Sequence, residues 1–275
     1  MDDVEKYDLV IEAGHTEHHY WQDIWRYREL FMFLAWRDIL VRYKQTVFGV
    51  LWAILRPLLT MVVFTIIFSG IAKLPSKGVP YPILVYAAML PWQFFSSSFS
   101  EASISLISNS NLMTKIYFPR IIMPTSSVIV ALVDFLVAFV ILVFMMMYYQ
   151  YLPSWRILTL PVFVLLAFLT SMGAGLYVAA LNVKYRDFRY IVPFVVQFGL
   201  YISPVGFSSD VVPAQWRILY SLNPMVGVID GFRWAILGTP LNVMAFVLSV
   251  CVSLGFFTFG IWYFRKTEKT FADVI

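Results

Sequence analysis

IIMPTSSVIVALVDFLVAFVILVFMMMYY, residues 121–149, carries a single charge, Asp134, in a run long enough to cross a bilayer as one helix. A helix needs about 20 mostly apolar residues to span the hydrocarbon core, and it satisfies its own backbone hydrogen bonds while doing so. The rest of the chain agrees with lipid as the solvent. Of 275 residues, 60% are hydrophobic and only 13% charged, which lies outside the range of a soluble domain.

Working outward, apolar runs at 47–71 and 82–99 precede this stretch, and runs at 157–182, 189–205 and 241–264 follow it. Together they predict an all-α integral membrane protein with six transmembrane helices. The fifth run is short, contains Pro193 and ends in the breaker Ser203-Pro204-Val205-Gly206. The first twenty residues are polar and acidic (Asp2, Asp3, Glu5, Asp8, Glu12) and lack the three regions of a removable signal peptide, so the N-terminus is expected in the cytoplasm.

An even number of crossings puts both termini on one side, and basic residues decide which side that is. Lys6, Arg26, Arg28, Arg37, Arg42, Lys44, Lys115, Arg120, Lys184, Arg186, Arg189, Arg265, Lys266 and Lys269 gather on one face. Lys73, Lys77, Arg156, Arg217 and Arg233 fall on the other. The excess places both termini and the loops at 100–120 and 183–189 in the cytoplasm. The net charge of +4 is thereby explained by topology, without a nucleic-acid-binding face. Cys251 sits in an apolar stretch and has no second cysteine to pair with.

Three segments do not read as simple spans. Residues 21–44 alternate charges with aromatics, and their longest apolar window, 30–36, is too short to cross. They predict an amphipathic helix on the cytoplasmic interface, with Trp21, Trp25, Phe31 and Trp36 near the headgroups, either a plain anchor or a working part. Residues 101–115 set Ile104, Leu106, Ile107 and Leu112 among small polar residues. A solvated connector would leave Ile104, Ile107 and Leu112 exposed, so a short docking helix is the better reading. At 207–238, two amphipathic pieces (212–222 and 225–237) meet at Asn223-Pro224. They either dip into the membrane from outside and return, or form an external cap.

No phosphate-binding G-x-x-x-x-G-K-[ST] loop occurs, so the chain has no cradle for ATP phosphates. Asp134 is the one strong acid candidate within the spans, whereas gradient-driven carriers place several ionisable groups near the midplane. Arg56 and Asp134 are costly in a membrane; they read as a functional pair or polar groups lining a path, or else as a structural pair or a snorkelling arginine. His15, Glu17, His18 and His19 have metal-ligand types at a spacing that matches no standard site, and no metal is expected. Ser171, Gly175 and Ala179 form a small-xxx-small row that lets another helix approach, from this chain or a second one. Tyr81, Tyr148, Tyr149, Trp155, Tyr190, Trp262 and Tyr263 suit interface belts. Trp92, Phe94, Phe95, Tyr177, Tyr201, Trp216 and Tyr220 suit either ordinary packing or the faces of sugar rings.

Residues 37–57, RDILVRYKQTVFGVLWAILRP, resemble the start of the first span in permease subunits of polysaccharide-exporting ATP-binding-cassette transporters, the Wzm-type family. Ordered matches follow: PYPILVYAAMLPW (80–92), NSNLMTKIYFPRIIMP (109–124), LNVKYRDFRYIVPF (181–194) and YSLNPMVGVIDGFRWAILG (220–238). The resemblance implies a homodimer bound to two cytoplasmic ATPase subunits, which carry the ATP and magnesium, moving lipid-linked polysaccharide outward across the bacterial inner membrane. By the same resemblance, 1–20 is a cytoplasmic tail, 21–45 an interfacial helix, 46–264 the six-span permease domain and 265–275 a cytoplasmic tail. It also implies a coupling helix at 103–115, with Ser103, Ile104, Ile107, Leu112 and Lys115 facing the ATPase. Residues 212–237 would be gate helices at the outer mouth of a path lined partly by aromatics. This chain itself would hold no cofactor and no catalytic site. Teichoic acid, capsular polymer or a drug fit as alternative cargo. A membrane-embedded transferase using Asp134 or Glu101 as base would need convergent acid and base groups that the residues do not supply.

Overall fold

The computed structural model describes residues 20–44, 49–76 and 78–271. His15, Glu17, His18, His19 and Lys77 therefore lie outside the described residues. Tyr20–Arg26 (α1) and Arg28–Lys44 (α2) form the segment expected at the interface, broken once at Tyr27. Gly49–Thr65 (α3) runs on through a wider π-type turn, Ile66–Ile71. Tyr81–Ser108 (α4), the single turn Ser110–Met113 (α5) and Ile122–Tyr148 (α6) follow. A 3₁₀ turn, Trp155–Thr159, leads into Leu160–Lys184 (α7), then Phe188–Ile202 (α8). Arg217–Ser221 (α9), Pro224–Leu237 (α10) and Val243–Glu268 (α11) complete the order, with no strand among the described residues.

Four of these runs are long and apolar enough to cross a membrane: Ile54–Ile71, Ile122–Tyr148, Trp155–Lys184 and Val243–Glu268. α4 is longer than any of them except the combined Trp155–Lys184 run, about 42 Å at 1.5 Å per residue. It nevertheless carries Gln93, four serines between Ser96 and Ser100, and Glu101. The reason it tolerates them is its position. α4 packs against α6, α7 and α10, and also touches α3 and α8, so other helices take the lipid-facing places. Ile83, Val85, Tyr86, Ala87 and Ala88 are fully buried on successive faces of its first turns.

Small residues bring α7 close to two neighbours. Gly175 faces Ala102 of α4, where an added Cβ would lie 2.7 Å from the Ala102 Cβ. Gly173 and Gly260 bring α7 and α11 into backbone contact; a Cβ on Gly260 would sit 2.1 Å from the Gly173 carbonyl oxygen. The Ser171–Gly175–Ala179 row is thus used within the chain, and all three residues are buried.

Two expected boundaries shift. The helix predicted at 82–99 continues to Ser108, because Ser103 and Ser105 return their hydroxyls to the Ser100 and Ala102 carbonyls and nothing breaks the run before Asn109. Residues 103–108 are therefore the end of α4, and only Ser110–Met113 forms a separate turn. At the other terminus α11 runs through 265–268, and Phe271 is buried against Phe264, so these residues close the bundle instead of trailing from it. Cys251 is exposed on α11, as a lipid-facing residue would be.

Candidate functional site

α1, α2, the end of α4, the loop before α6, and the C-terminal end of α11 meet at one end of the bundle, here called the basic end. α2 presents Met32, Phe33, Trp36 and Val41 outward and turns Leu34 and Ala35 inward, packing along α6. Its charged side chains reach across to α4. Arg37 donates through Nη2 to Asn109 Oδ1 at 2.9 Å. Arg42 reaches Glu101 of α4 through Nη2 at 2.5 Å and Asp134 of α6 through Nη1 at 2.8 Å. Tyr43 donates its hydroxyl to the same Asp134. Burial opposes the Arg42 charge, but Glu101 and then Asp134 outweigh it, and the guanidinium holds its proton more firmly than usual. Glu101 lies past the span expected at 82–99 but within α4.

Asp134 is therefore partnered by α2, through Arg42 and through Tyr43, which is 91 positions away in sequence. Arg56 is exposed on α3 and is not the partner of Asp134; its backbone carbonyl accepts from Thr60 Oγ1. The intramembrane-pair reading gives way to a junction of three helices, because α2 ends level with the middle of α6.

The loop at 109–120 is tied at its second end too. Glu268 accepts from the Arg120 backbone N–H at 2.8 Å and from the Tyr20 hydroxyl at 2.9 Å. Between the two ties the chain exposes Lys115, Ile116 and Tyr117. Of the five residues expected to contact a partner, Lys115 and Ile104 are exposed, while Ile107 and Leu112 are half-buried. Ser103 is buried, and its carbonyl accepts from Asn182 Nδ2 at 2.8 Å, so it braces α4 against α7. Ile116 and Tyr117 were missed from sequence, although two adjacent large apolar residues beside Lys115 were the available signal.

The candidate aromatics separate into two groups. Trp92 and Phe94 are buried, Trp92 against Gly199 of α8 and Phe94 against Phe135 of α6. Phe95 stacks on Phe99, and Tyr177 lies against Phe259 and Tyr263. Tyr201 and Trp216 are exposed; Tyr220 is half-buried. Tyr201 belongs to a stripe that the sequence reading passed over. Tyr190, Phe194, Phe198 and Tyr201 recur at helical spacing along one face of α8, all exposed, with the Phe194 and Phe198 rings 4.4 Å apart. α8 leans on α4 and α7 and buries only Val192.

At the opposite end, Asn223 caps α10 by accepting from the Met225 backbone N–H, and Gly238 closes it in the left-handed conformation. Arg233 of α10 is buried and donates to three carbonyls, those of Leu84, Val205 and Phe207. It fastens the breaker sequence after α8 to α4. No side-chain oxygen is needed for this, since a guanidinium offers five donors in a rigid fork.

A bundle of apolar helices with a doubly tied loop at its basic end fits a membrane transport subunit. A model of the ABC-2 type transporter family matches residues 29–237. The chain belongs to the ABC-2 type transporter family. It is similar to O-antigen export system permease protein RfbA of Klebsiella pneumoniae, 26% identical over 253 residues, covering 90% of this chain and 95% of that one. A protein of the same name from Myxococcus xanthus is 27% identical over 215 residues, covering 77% and 82%. The polysialic acid transport protein KpsM of Escherichia coli is 24% identical over 230 residues, covering 80% and 88%.

As an ABC-2 family member with several bilayer-length apolar helices, the chain is a multi-pass membrane protein. The matched region begins inside α2 and ends with α10, so it includes the Arg42 junction, the tied loop and the Arg233 brace. Among the described residues no group of three histidines, cysteines or carboxylates is arranged to hold a metal ion.

Proposed function

We propose that this chain is the permease subunit of an ATP-driven exporter for polysaccharide, O-antigen being the leading cargo. The observation that carries this reading is the similarity to O-antigen export permeases across nearly the full length of both chains. The polysialic acid transport protein is less identical and covers less of this chain than the Klebsiella protein, so capsular polymer is the second cargo class, ahead of teichoic acid or a drug.

In this reading α4 and α8 join the four apolar runs as the second and fifth of six crossings, and the basic end faces the cytoplasm of a bacterial inner membrane with both termini. Two copies assemble with two ATPase subunits, which bind ATP and magnesium. The loop between Asn109 and Arg120, with Ile104 and Ile107 above it, seats on the ATPase. ATP binding draws the ATPases together, and the push passes through α4 into the bundle. The pieces between Ser209 and Leu237 act as re-entrant gate elements on the outer side.

A hydrated glycan has no apolar shell, so its path must replace lost water with polar edges and flat ring faces. The exposed stripe Tyr190, Phe194, Phe198 and Tyr201 suits that role, with Trp216 and Tyr220 nearer the outer mouth. Trp92 and Phe94, being buried, act from behind as support for α8 and α6. Arg56, exposed on α3, is a candidate contact for lipid-linked cargo.

The test is a strain lacking this chain. Loss of surface polymer with lipid-linked polymer accumulating inside, both reversed by the restored chain, is expected. Normal surface polymer in that strain would contradict the proposal.

A further inference from the structure

The Arg42 junction is more than a surface ion pair, because one guanidinium serves two carboxylates on two different helices. Nη2 holds Glu101 on α4, and Nη1 holds Asp134 on α6. Tyr43 adds a second hold on Asp134, and Arg37 a second hold on α4 at Asn109. On α4 the two grips, Glu101 and Asn109, bracket Ile104 and Ile107. These three side chains, Arg37, Arg42 and Tyr43, come from the last two turns of α2. Phe33 and Trp36, exposed on the same helix, suit the headgroup layer.

We propose that Arg42 is a positioning residue for energy coupling: its two-way fork locks the interfacial helix α2 to the end of α4 and to α6, so that the three move as one body. This rests on the permease reading above. A push on the 109–120 loop enters the end of α4. Through Glu101 and Arg42 it reaches α2, and through Asp134 it reaches the middle of α6. Without the fork, α2 keeps the inward Leu34 and Ala35, the Arg37 bond to Asn109 and the Tyr43 bond to Asp134, but it loses Glu101, and α4 can shift while α2 stays in the interface. A lysine cannot substitute, since a single ammonium is a point charge and lacks the planar spread that meets two carboxylates at once.

Removing Arg42 alone also leaves two neighbouring carboxylates uncompensated, which can unfold the junction and hide its role. A charge-free variant, Arg42→Met with Glu101→Gln and Asp134→Asn, retains the packing without the lock. The experiment uses the full chain with its ATPase partner in proteoliposomes and measures polymer exported per ATP hydrolysed. Arg42→Lys and the charge-free triple variant are expected to assemble and hydrolyse ATP while this ratio falls about tenfold. An unchanged ratio in the triple variant would overturn the proposal. A second readout separates it from the permease reading: spin labels at Trp36 and Leu136, on a Cys251→Ser background. Their separation should stay fixed through the nucleotide cycle in the wild type and change in the triple variant, whatever the cargo. If the wild type hydrolyses ATP without exporting polysaccharide, the cargo reading fails and these distances still decide the lock. Equal movement in both proteins would refute it.

Discussion

Glu268 and Arg120 are joined twice, once through the Arg120 backbone N–H to Glu268 Oε1 at 2.8 Å and once through Arg120 Nη1 to the Glu268 carbonyl at 2.8 Å. The second carboxylate oxygen takes the Tyr20 hydroxyl, and Arg265 lies 3.6 Å over the Tyr20 ring. The two ends of the described chain and the loop before α6 thus share one carboxylate. Glu268 is half-buried, and hydrogen bonds to a charged group are each worth about 1.5–3 kcal/mol. Glu268→Ala should therefore lower stability by about 2–4 kcal/mol, read as a drop in Tm of the purified chain, with Glu268→Gln between it and wild type. A Tm unchanged by Glu268→Ala would show that the junction contributes nothing.

The contact of α7 with α11 depends on two missing side chains. A Cβ on Gly173 would lie 2.4 Å from the Phe256 carbonyl carbon, which is backbone and cannot rotate away. Gly173→Ala or Gly260→Ala should force the helices apart at a cost of about 1–3 kcal/mol, whereas Gly255→Ala, which meets open space, should be neutral or slightly stabilising. Thermal unfolding of the three variants side by side checks this. Equal effects at all three sites would contradict close approach as the cause.

How far the sequence could be read depended on what each residue faces. α6, α7 and α11 were legible because each has a lipid-facing side that must be apolar. α4 was legible as a span only as far as residue 99; once other helices surround a segment, serines and Glu101 cost little, and the run after residue 99 read as a separate docking helix. Asp134 was recognised as important, but its partners Arg42 and Tyr43 lie on a helix that hydropathy treats separately. Ser103 was expected to face a partner and is buried, because the Asn182 amide that uses its carbonyl is invisible to local pattern. The α8 stripe was hidden by its own ordinariness, since aromatics at span ends also suit interface belts.

That stripe yields the next expectation. Phe194 and Phe198 are exposed and contribute little to packing within the chain, so the double variant Phe194→Ala/Phe198→Ala should change stability by about 0.5 kcal/mol or less. Polymer export should nevertheless slow by about tenfold, equivalent to ~1.4 kcal/mol on the barrier. Export assays beside size measurement of the complex distinguish a path from a subunit contact. Wild-type export would remove the stripe from the path, and loss of the dimer would reassign it to the interface.

The central claim is that this ABC-2 chain works as the permease of a complex driven by a separate ATPase. Purification of the tagged chain from its native membrane, followed by identification of bound proteins and an ATPase assay, tests it most directly. The account predicts a stoichiometric partner carrying a phosphate-binding loop, whose binding weakens when Ile116 and Tyr117 are replaced by aspartate. A chain that purifies without any nucleotide-hydrolysing partner would contradict it.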